Sequence, residues 1–266
     1  MRRAVRVWQE ACGWMQENAV KRKLRAGEAV VGCFVPYPSA ELAEICGLIG
    51  FDFVLIDAEH GPMSPESAYR MVLGAEAGGA TPIVRVPQNA RQVILRYLDI
   101  GALGVMVPQV NSAEEAQGAV TASRYYPHGL RGIAGVRAAG FGLRQSLADY
   151  TAHANEELLV IVQIESLAAV GHLAEILEVP GIDVLFVGPN DLAQSMGYPG
   201  QPLHPEVQSV VDQVVKEVDG RLPLGTTAAT AELARWQRER GFRMVVTNTT
   251  NLLAASGRTI IEAVRG

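Results

Sequence analysis

Short apolar runs alternate with longer amphipathic stretches along most of the chain, and this alternation is the main structural signal. Eight runs of strand length recur, near residues 30–35, 52–57, 82–86, 104–108, 158–165, 183–188, 222–226 and 243–247. A continuous apolar run of this length is typical of a strand buried on both faces of a parallel sheet. The intervening stretches have helical spacing, so the pattern predicts alternating strands and helices.

Helix start signals support the same prediction. Ser39, Ser64 and Ser112 each precede a helical stretch and are followed by acidic residues. A serine in that place caps free backbone N–H groups, and the acidic residues complement the helix dipole. Strand, cap and helix in eight repeats predict an α/β fold, a (β/α)8 TIM barrel. A doubly wound sheet is the alternative, but it usually carries a Gly-rich turn after its first strand, and Phe34-Val-Pro-Tyr-Pro is found there instead.

The domain organisation follows from the same patterns. Residues 4–24 have apolar side chains at helical spacing, which predicts one or two amphipathic helices. We therefore divide the chain into an N-terminal helical extension, residues 1–26, and a single barrel domain, residues 27–266. The one long irregular stretch, residues 125–145, is rich in Gly and Arg. Such a stretch is typical of a functional or interface loop.

Composition argues against several classes of partner. The formal net charge of -5 is unlike that of a nucleic-acid-binding protein. No stretch approaches the roughly 18 uninterrupted apolar residues of a membrane span. The 3 cysteines show no metal-binding spacing, which favours a reduced, cytoplasmic compartment without a disulfide framework. The partners expected are therefore small molecules.

Polar side chains lie at or just after the C-terminal ends of four of the predicted strands, where a barrel places its active site. In chain order they are Asp57, Glu59 and His60 after strand two, Arg85 in strand three, Gln163 and Glu165 in strand five, and Gly188-Pro-Asn-Asp191 after strand six. We expect these side chains to converge on a common mouth.

Two of these residues are candidates for a metal site. Glu165 and Gln163 alternate across one residue, so both side chains point to the same face of their strand. Asp191 is a second carboxylate at the same rim. Two carboxylates with open coordination positions suit Mg2+ or Mn2+, which prefer oxygen ligands and retain waters. The alternative is structural: Glu165 pairs with an arginine, and Asp191 caps a helix.

Two further residues are candidates for proton transfer and charge stabilisation. His60 is followed by a Gly-Pro turn, and a neighbouring carboxylate, Asp57 or Asp99, would raise its basicity. Arg85 lies in a β-branched strand, a costly position unless the guanidinium meets an anion. The alternative is a structural salt bridge between Arg85 and Glu59 or Asp57.

Six stretches together resemble one known family, the HpcH/HpaI aldolases, which are metal-dependent class II pyruvate aldolases. The resemblance covers roughly residues 18–220 and is carried by FDFVLIDAEHGP, VRVPQN, YLDIGALGVMVPQV, RYYPHGLRG, VQIES and GPNDLAQSMGYPG. It implies a (β/α)8 barrel that cleaves a 4-hydroxy-2-oxo acid reversibly to pyruvate and an aldehyde through an enolate.

The resemblance also implies a role for each candidate residue. Glu165 and Asp191 are expected to bind a divalent metal, Mg2+ or Mn2+, with Co2+ as a third candidate. The expected contacts to the pyruvyl group are Gln163 and Asn190. His60 is the expected proton acceptor, Asp99 the carboxylate beside it, and Arg85 the group that stabilises charge on the keto oxygen. Family members commonly form hexamers with exchange of the last helix, so a homo-oligomer is expected.

Two alternative functions stay open at this point, and two strands differ from the family pattern. The same enolate site also occurs in acyl-CoA lyases of the citryl-CoA or malyl-CoA type, and a catalytically silent barrel that binds a keto acid is the third interpretation. Strands seven and eight, Leu224-Gly-Thr-Thr-Ala and Val245-Val-Thr-Asn-Thr-Thr-Asn, depart from the family pattern. The resemblance therefore leaves the aldehyde substrate open.

Overall fold

Eight parallel strands form a closed barrel in the computed structural model, which describes residues 17–266. Each strand pairs with the next along the chain, and β8 pairs with β1 to close the sheet. The strands are β1 Val30–Val35, β2 Phe53–Asp57, β3 Thr81–Arg85, β4 Gly104–Val107, β5 Leu159–Ile164, β6 Val184–Val187, β7 Leu224–Thr227 and β8 Met244–Asn248. All eight predicted runs are strands, and the (β/α)8 prediction is confirmed.

Helices follow the strands and pack around the barrel. Their bounds are α1 Ala19–Arg25, α2 Ala40–Ile49, α3 Pro65–Ala77, α4 Arg91–Asp99, α5 Ala113–Ser123, α6 Leu147–Glu157, α7 Leu167–Gly171, α8 Leu173–Leu177, α9 Pro189–Ser195, α10 Pro205–Val218, α11 Ala231–Glu239 and α12 Thr249–Arg265. The predicted caps are confirmed: the hydroxyls of Ser39, Ser64 and Ser112 each accept a hydrogen bond from the backbone N–H three residues later.

The apolar core has two layers, as the alternation of side chains along each strand requires. One layer fills the barrel interior, where Phe53, Leu55, Ile83 and Phe186 are buried. The other layer lies between the strands and the surrounding helices. The strands are therefore buried on both faces, and their polar residues are confined to the two ends of the barrel.

Helix α1 packs against the N-terminal end of the barrel. Its Val20 and Leu24 belong to the interior core, and the Lys21 ammonium donates to the Leu158 carbonyl at 2.7 Å and pairs with Asp183 at 2.8 Å. Helix α1 confirms the predicted helix over residues 19–25, whereas the prediction for residues 4–16 lies outside the described residues. The boundary between residues 26 and 27 stays a prediction.

Between β4 and β5, the stretch that separates α5 from α6 is mostly irregular, with 3-10 turns within Arg137–Gly142 that are interrupted by left-handed backbone at Gly140 and Phe141. None of the helices in residues 17–266 combines the length and the apolar character needed to cross a bilayer.

Candidate active site

The C-terminal ends of the strands surround a cavity of about 460 Å³. Its lining includes residues at or after the C-terminal ends of β2, β3, β5 and β6, and it therefore brings together most of the predicted site residues: Asp57, His60, Arg85, Gln163, Asn190 and Asp191. A volume in this range accommodates a small metabolite. The convergence expected from the sequence is present in the fold.

Arg85 is held by two carboxylates and one aromatic ring. Its Nε and Nη2 donate to the two oxygens of Asp57 at 3.0 and 2.7 Å, and its Nη1 lies 3.2 Å from Oε2 of Glu59. The guanidinium carbon lies 4.7 Å from the centre of the Phe34 ring. The structural salt bridge considered from the sequence is therefore present. Three of the five N–H donors of a guanidinium are used, and two remain for an anion in the cavity.

His60 stands above this pair on a turn shaped by Asp57. The backbone N–H groups of Glu59 and His60 both donate to Oδ1 of Asp57 at 3.2 Å. The His60 side chain is 63% exposed, and its Nε2 lies 4.0 Å from Oε2 of Glu59. Asp57 thus contacts the backbone of His60, while Glu59 approaches the ring. Burial raises the pKa of Glu59, with Arg85 opposing the shift.

Asp99 lies at the C-terminal end of α4, and its Oδ1 accepts a hydrogen bond from Nη2 of Arg131 at 2.9 Å. Arg131 belongs to the irregular stretch between α5 and α6 and is itself buried. The structure thus brings Asp57, Arg85 and His60 together, whereas Asp99 is hydrogen-bonded to Arg131. The pairing of Asp99 with His60 stays a prediction.

Glu165 is fixed by two hydrogen bonds. Its Oε1 accepts from the backbone N–H of Gln109 at 2.7 Å, and its Oε2 accepts from Nε2 of Gln163 at 2.7 Å. Gln109 has a φ of 53°, a left-handed conformation that is uncommon for a residue with a side chain. Gly188 lies directly against Glu165, since a Cβ there would lie 2.6 Å from Oε2. The glycine lets β6 approach the carboxylate.

The electrostatics around Glu165 favour a bound cation. Burial raises the pKa of Glu165 to about 7, and the charges of Asp191 and Glu59 add to the shift, while the Gln109 N–H and Arg85 oppose it. Oε1 of Gln163 is buried without a hydrogen-bond partner in the described residues. A buried carboxylate close to other carboxylates is stabilised by a cation, and an unpartnered amide oxygen is a suitable donor to one.

The donor set fits a hard divalent cation with few protein ligands. The described part of the chain has no group of three or more His, Cys, Asp or Glu side chains arranged to hold a metal. Glu165 and the exposed Asp191, in the first turn of α9, instead provide two carboxylates, and Gln163 adds a carbonyl oxygen. Mg2+ and Mn2+ are commonly bound by one or two carboxylates, with waters and substrate oxygens in the other positions.

A model of the HpcH/HpaI aldolase/citrate lyase family matches residues 30–253. The chain belongs to this family. It is 37% identical over 233 residues, 87% of this chain and 91% of the relative, to a hydroxypyruvate/pyruvate aldolase of Sagittula stellata. It is 41% identical over 203 residues, 76% of this chain and 75% of the relative, to a 2-keto-3-deoxy-L-rhamnonate aldolase of Klebsiella pneumoniae.

A solved structure agrees with the assignment. The crystal structure of an HpcH/HpaI aldolase/citrate lyase family protein from Burkholderia cenocepacia matches with a TM-score of 0.88 and 35% identity, over 94% of this chain and 100% of that one. The resemblance identified from the six sequence motifs is thereby confirmed, and the match extends through β7 and β8.

Two features of the site were not predicted from the sequence. The backbone N–H of Gln109 holds Glu165, and the carboxylate closest to the His60 ring belongs to Glu59. The first is a main-chain contact across 56 residues and has no side-chain signal. Glu59 is adjacent to His60 in the sequence, so its charge was evident. The sequence does not show that its side chain turns toward the His60 ring.

Proposed function

We propose that this family member is a divalent-metal-dependent aldolase that reversibly cleaves a 4-hydroxy-2-oxo acid to pyruvate and an aldehyde. The main support is that one cavity combines oxygen donors suited to a cation with a guanidinium and an imidazole. Gln163 and Asp191 line the cavity, and Glu165 accepts a hydrogen bond from Gln163 beside it; Arg85 and His60 line the same cavity. The named relatives are aldolases, which supports an enzyme of the same type.

A divalent cation held by Glu165 and Asp191 would supply Lewis acidity to the keto oxygen of the pyruvyl group. Side chains of the protein also bind the 2-oxo acid. Gln163 and Asn190 face the same cavity and are placed to hydrogen-bond the 2-oxo acid. The carboxylates that surround the site keep the cation position electrostatically favourable before substrate arrives.

Arg85 stabilises the charge that develops during cleavage. Breaking the C3–C4 bond leaves its electron pair on C3, and the adjacent C2 carbonyl accepts that pair as an enolate. The two free N–H donors of Arg85 are available to the enolate oxygen. The contacts with Asp57 and Glu59 fix the position of the guanidinium, so no reorganisation of Arg85 is needed as the charge appears.

His60 removes the proton of the C4 hydroxyl. The electrons of the O–H bond form the carbonyl of the leaving aldehyde as the C3–C4 bond breaks. Protonation of the enolate at C3 then gives pyruvate, and the reverse sequence is the aldol addition. An exposed imidazole is accessible to substrate, and the Glu59 carboxylate 4.0 Å from Nε2 stabilises the protonated ring.

Pyruvate release from a panel of substrates tests this function. We expect metal-loaded protein to release pyruvate from 4-hydroxy-2-oxo acids, and protein treated with a chelator to release none until Mg2+ or Mn2+ is restored. Cleavage of citryl-CoA or malyl-CoA in place of the hydroxy-oxo acids would favour the acyl-CoA lyase. Binding of pyruvate without turnover of any substrate would favour the silent barrel.

A homo-oligomer is supported by the last helix. In α12, Thr249 is the buried residue, and large apolar side chains are exposed at Leu252, Leu253, Ile260, Ile261 and Val264. Such an apolar face is typical of a protein–protein contact. We propose that it packs on a second copy, in a hexamer or trimer of dimers. Sedimentation velocity of the wild type and of Leu253→Asp tests this, and an unchanged mass for the variant would contradict it.

A further inference from the structure

A second cavity, here called the basal cavity, lies at the end of the barrel opposite the candidate active site. Its volume is about 590 Å³. Its lining includes residues at or just before the starts of β5, β6, β7 and β8, among them Leu159, Asp183, Leu224 and Arg243, together with residues of α1. A cavity of this size accommodates a small metabolite.

The lining of the basal cavity is strongly positive. It contains four cationic side chains, those of Lys21, Arg25, Arg221 and Arg243, and one carboxylate, that of Asp183. The whole chain carries a formal net charge of -5, so the basal cavity concentrates positive charge within an acidic protein. A cleft lined mainly by one sign of charge raises the local concentration of ligands of the opposite sign.

Part of this charge cluster has a structural role. Oδ1 of Asp183 pairs with the buried Lys21 ammonium at 2.8 Å, and its Oδ2 pairs with Nη2 of the buried Arg124 at 2.8 Å. The same Oδ2 accepts a hydrogen bond from the backbone N–H of Val160 at 2.9 Å. These contacts join α1 to the starts of β5 and β6. They occupy both oxygens of the one carboxylate in the lining, and that carboxylate is therefore not available to the three arginines.

The three arginines of the lining can bind a ligand. Within residues 17–266, Arg25 makes no hydrogen bond or ion pair. Nη1 of Arg243 donates to two backbone carbonyls at the long distances of 3.4 and 3.5 Å. Arg221 pairs at 3.2 Å with Glu178, whose side chain is 78% exposed. An exposed pair of this kind contributes little stability, so all three guanidinium groups are available to an anion.

The buried ammonium group of Lys21 is affected by the surrounding positive charge. Burial lowers the pKa of Lys21 to about 8; Asp183 opposes this shift, and the charges of Arg124 and Arg25 add to it. Arg124 and Arg25 thus repel the Lys21 ammonium. An anion in the basal cavity would offset this repulsion, because a nearby opposite charge favours the charged form of an ionisable group.

We propose that the basal cavity is a second ligand site, which binds a small metabolite that carries a multiply charged oxyanion, either a phosphate ester or a polycarboxylate. Arg25, Arg221 and Arg243 bind the oxyanion, since the planar guanidinium group matches the spacing of phosphate and carboxylate oxygens. Apolar side chains of the lining, such as Leu24 and Leu222, contact the rest of the metabolite. The site shares no residue with the candidate active site and does not rest on the proposed aldolase function.

Isothermal titration calorimetry with pyrophosphate and with citrate tests the site, with chloride as the control anion at constant ionic strength. Metal-free protein is used because both oxyanions bind divalent cations. We expect at least one of the two to bind at one site per chain, and chloride to show no binding. Tighter binding of pyrophosphate would identify a phosphate ester as the ligand class, and tighter binding of citrate a polycarboxylate. Absence of binding by both would overturn the proposal.

Two substitutions assign the binding to the basal cavity. Arg25→Gln and Arg243→Gln are each expected to weaken binding of the oxyanion by about tenfold, the scale of a lost charge-assisted hydrogen bond. Arg70→Gln, the same change at an exposed position of α3, is the matched control and should bind as the wild type does. The melting temperatures of the unliganded variants show whether each one folds. Wild-type affinity in both Arg25→Gln and Arg243→Gln would contradict the assignment.

Arg85→Lys separates the two cavities, because Arg85 belongs to the candidate active site and lies outside the basal cavity. We expect this variant to bind pyrophosphate or citrate with wild-type affinity. Loss of binding in Arg85→Lys, together with wild-type affinity in Arg25→Gln and Arg243→Gln, would place the anion in the candidate active site and overturn the proposal.

Discussion

Replacing Glu165 by glutamine is expected to lower the affinity for Mn2+ by more than about a hundredfold and to abolish pyruvate release at ordinary metal concentrations. The loss of an outer partner of a metal ligand already costs about 10- to 100-fold, and this change removes a proposed ligand. The substitution keeps the shape of the side chain. Its amide oxygen still accepts from the Gln109 N–H, and rotation of the Gln163 amide brings the unpartnered Oε1 of Gln163 to the new NH2 group.

Titration of metal affinity against pH separates this role from a structural one. Because the pKa of Glu165 is raised to about 7, a proton competes with the cation as the pH falls below that value. Wild-type affinity should fall by about tenfold per pH unit below neutrality, and Glu165→Gln should lack this dependence. Glu66→Gln, a surface carboxylate paired with Arg70, is the matched control. Wild-type Mn2+ affinity in Glu165→Gln would contradict the ligand assignment.

Replacing Arg85 by lysine is expected to lower kcat for pyruvate release by about a hundredfold or more, the scale for removal of one oxyanion donor. Lysine retains the positive charge between Asp57 and Glu59 but cannot form the bidentate pair, and it has no further N–H fixed toward the cavity. We choose lysine because an uncharged residue would leave two carboxylates without a partner, which costs about 3 to 5 kcal/mol when a buried pair is broken.

Two measurements distinguish catalysis from stability for Arg85→Lys. The melting temperature reports any loss of folding, and binding of Mn2+ reports the state of the neighbouring carboxylates. We expect modest changes in both and a large fall in kcat. Arg70→Lys, the same change at an exposed ion pair, should behave as wild type. Full turnover in Arg85→Lys would show that the guanidinium has a structural role only.

The strands and their polar ends could be predicted because both depend on local pattern. A run such as Val54-Leu55-Ile56 is buried whichever neighbours it meets, and the parallel topology then brings the residues after each strand to one rim. This is why Arg85, Gln163 and Asp191 were identified as a group. The caps at Ser39 and Ser64 are equally local.

Other parts of the site depend on contacts between distant segments and could not be predicted. The Gln109 N–H reaches Glu165 because the turn after β4 adopts a left-handed conformation at a residue other than glycine. Arg131 reaches Asp99 from the irregular stretch between α5 and α6. Charge and spacing do not fix such partners: Asp57 and Asp99 were the candidates for the carboxylate beside His60, whereas Glu59 approaches the ring.

The most direct test of the central claim is exchange of the pyruvate methyl protons with deuterium, followed by NMR with and without added Mg2+ or Mn2+. It requires the proposed cation and the site residues but no knowledge of the aldehyde. We predict rapid exchange in metal-loaded protein, no exchange after chelation, and strongly reduced exchange in Glu165→Gln and Arg85→Lys. Exchange at the same rate in chelated protein, or no exchange in metal-loaded protein, would contradict the account.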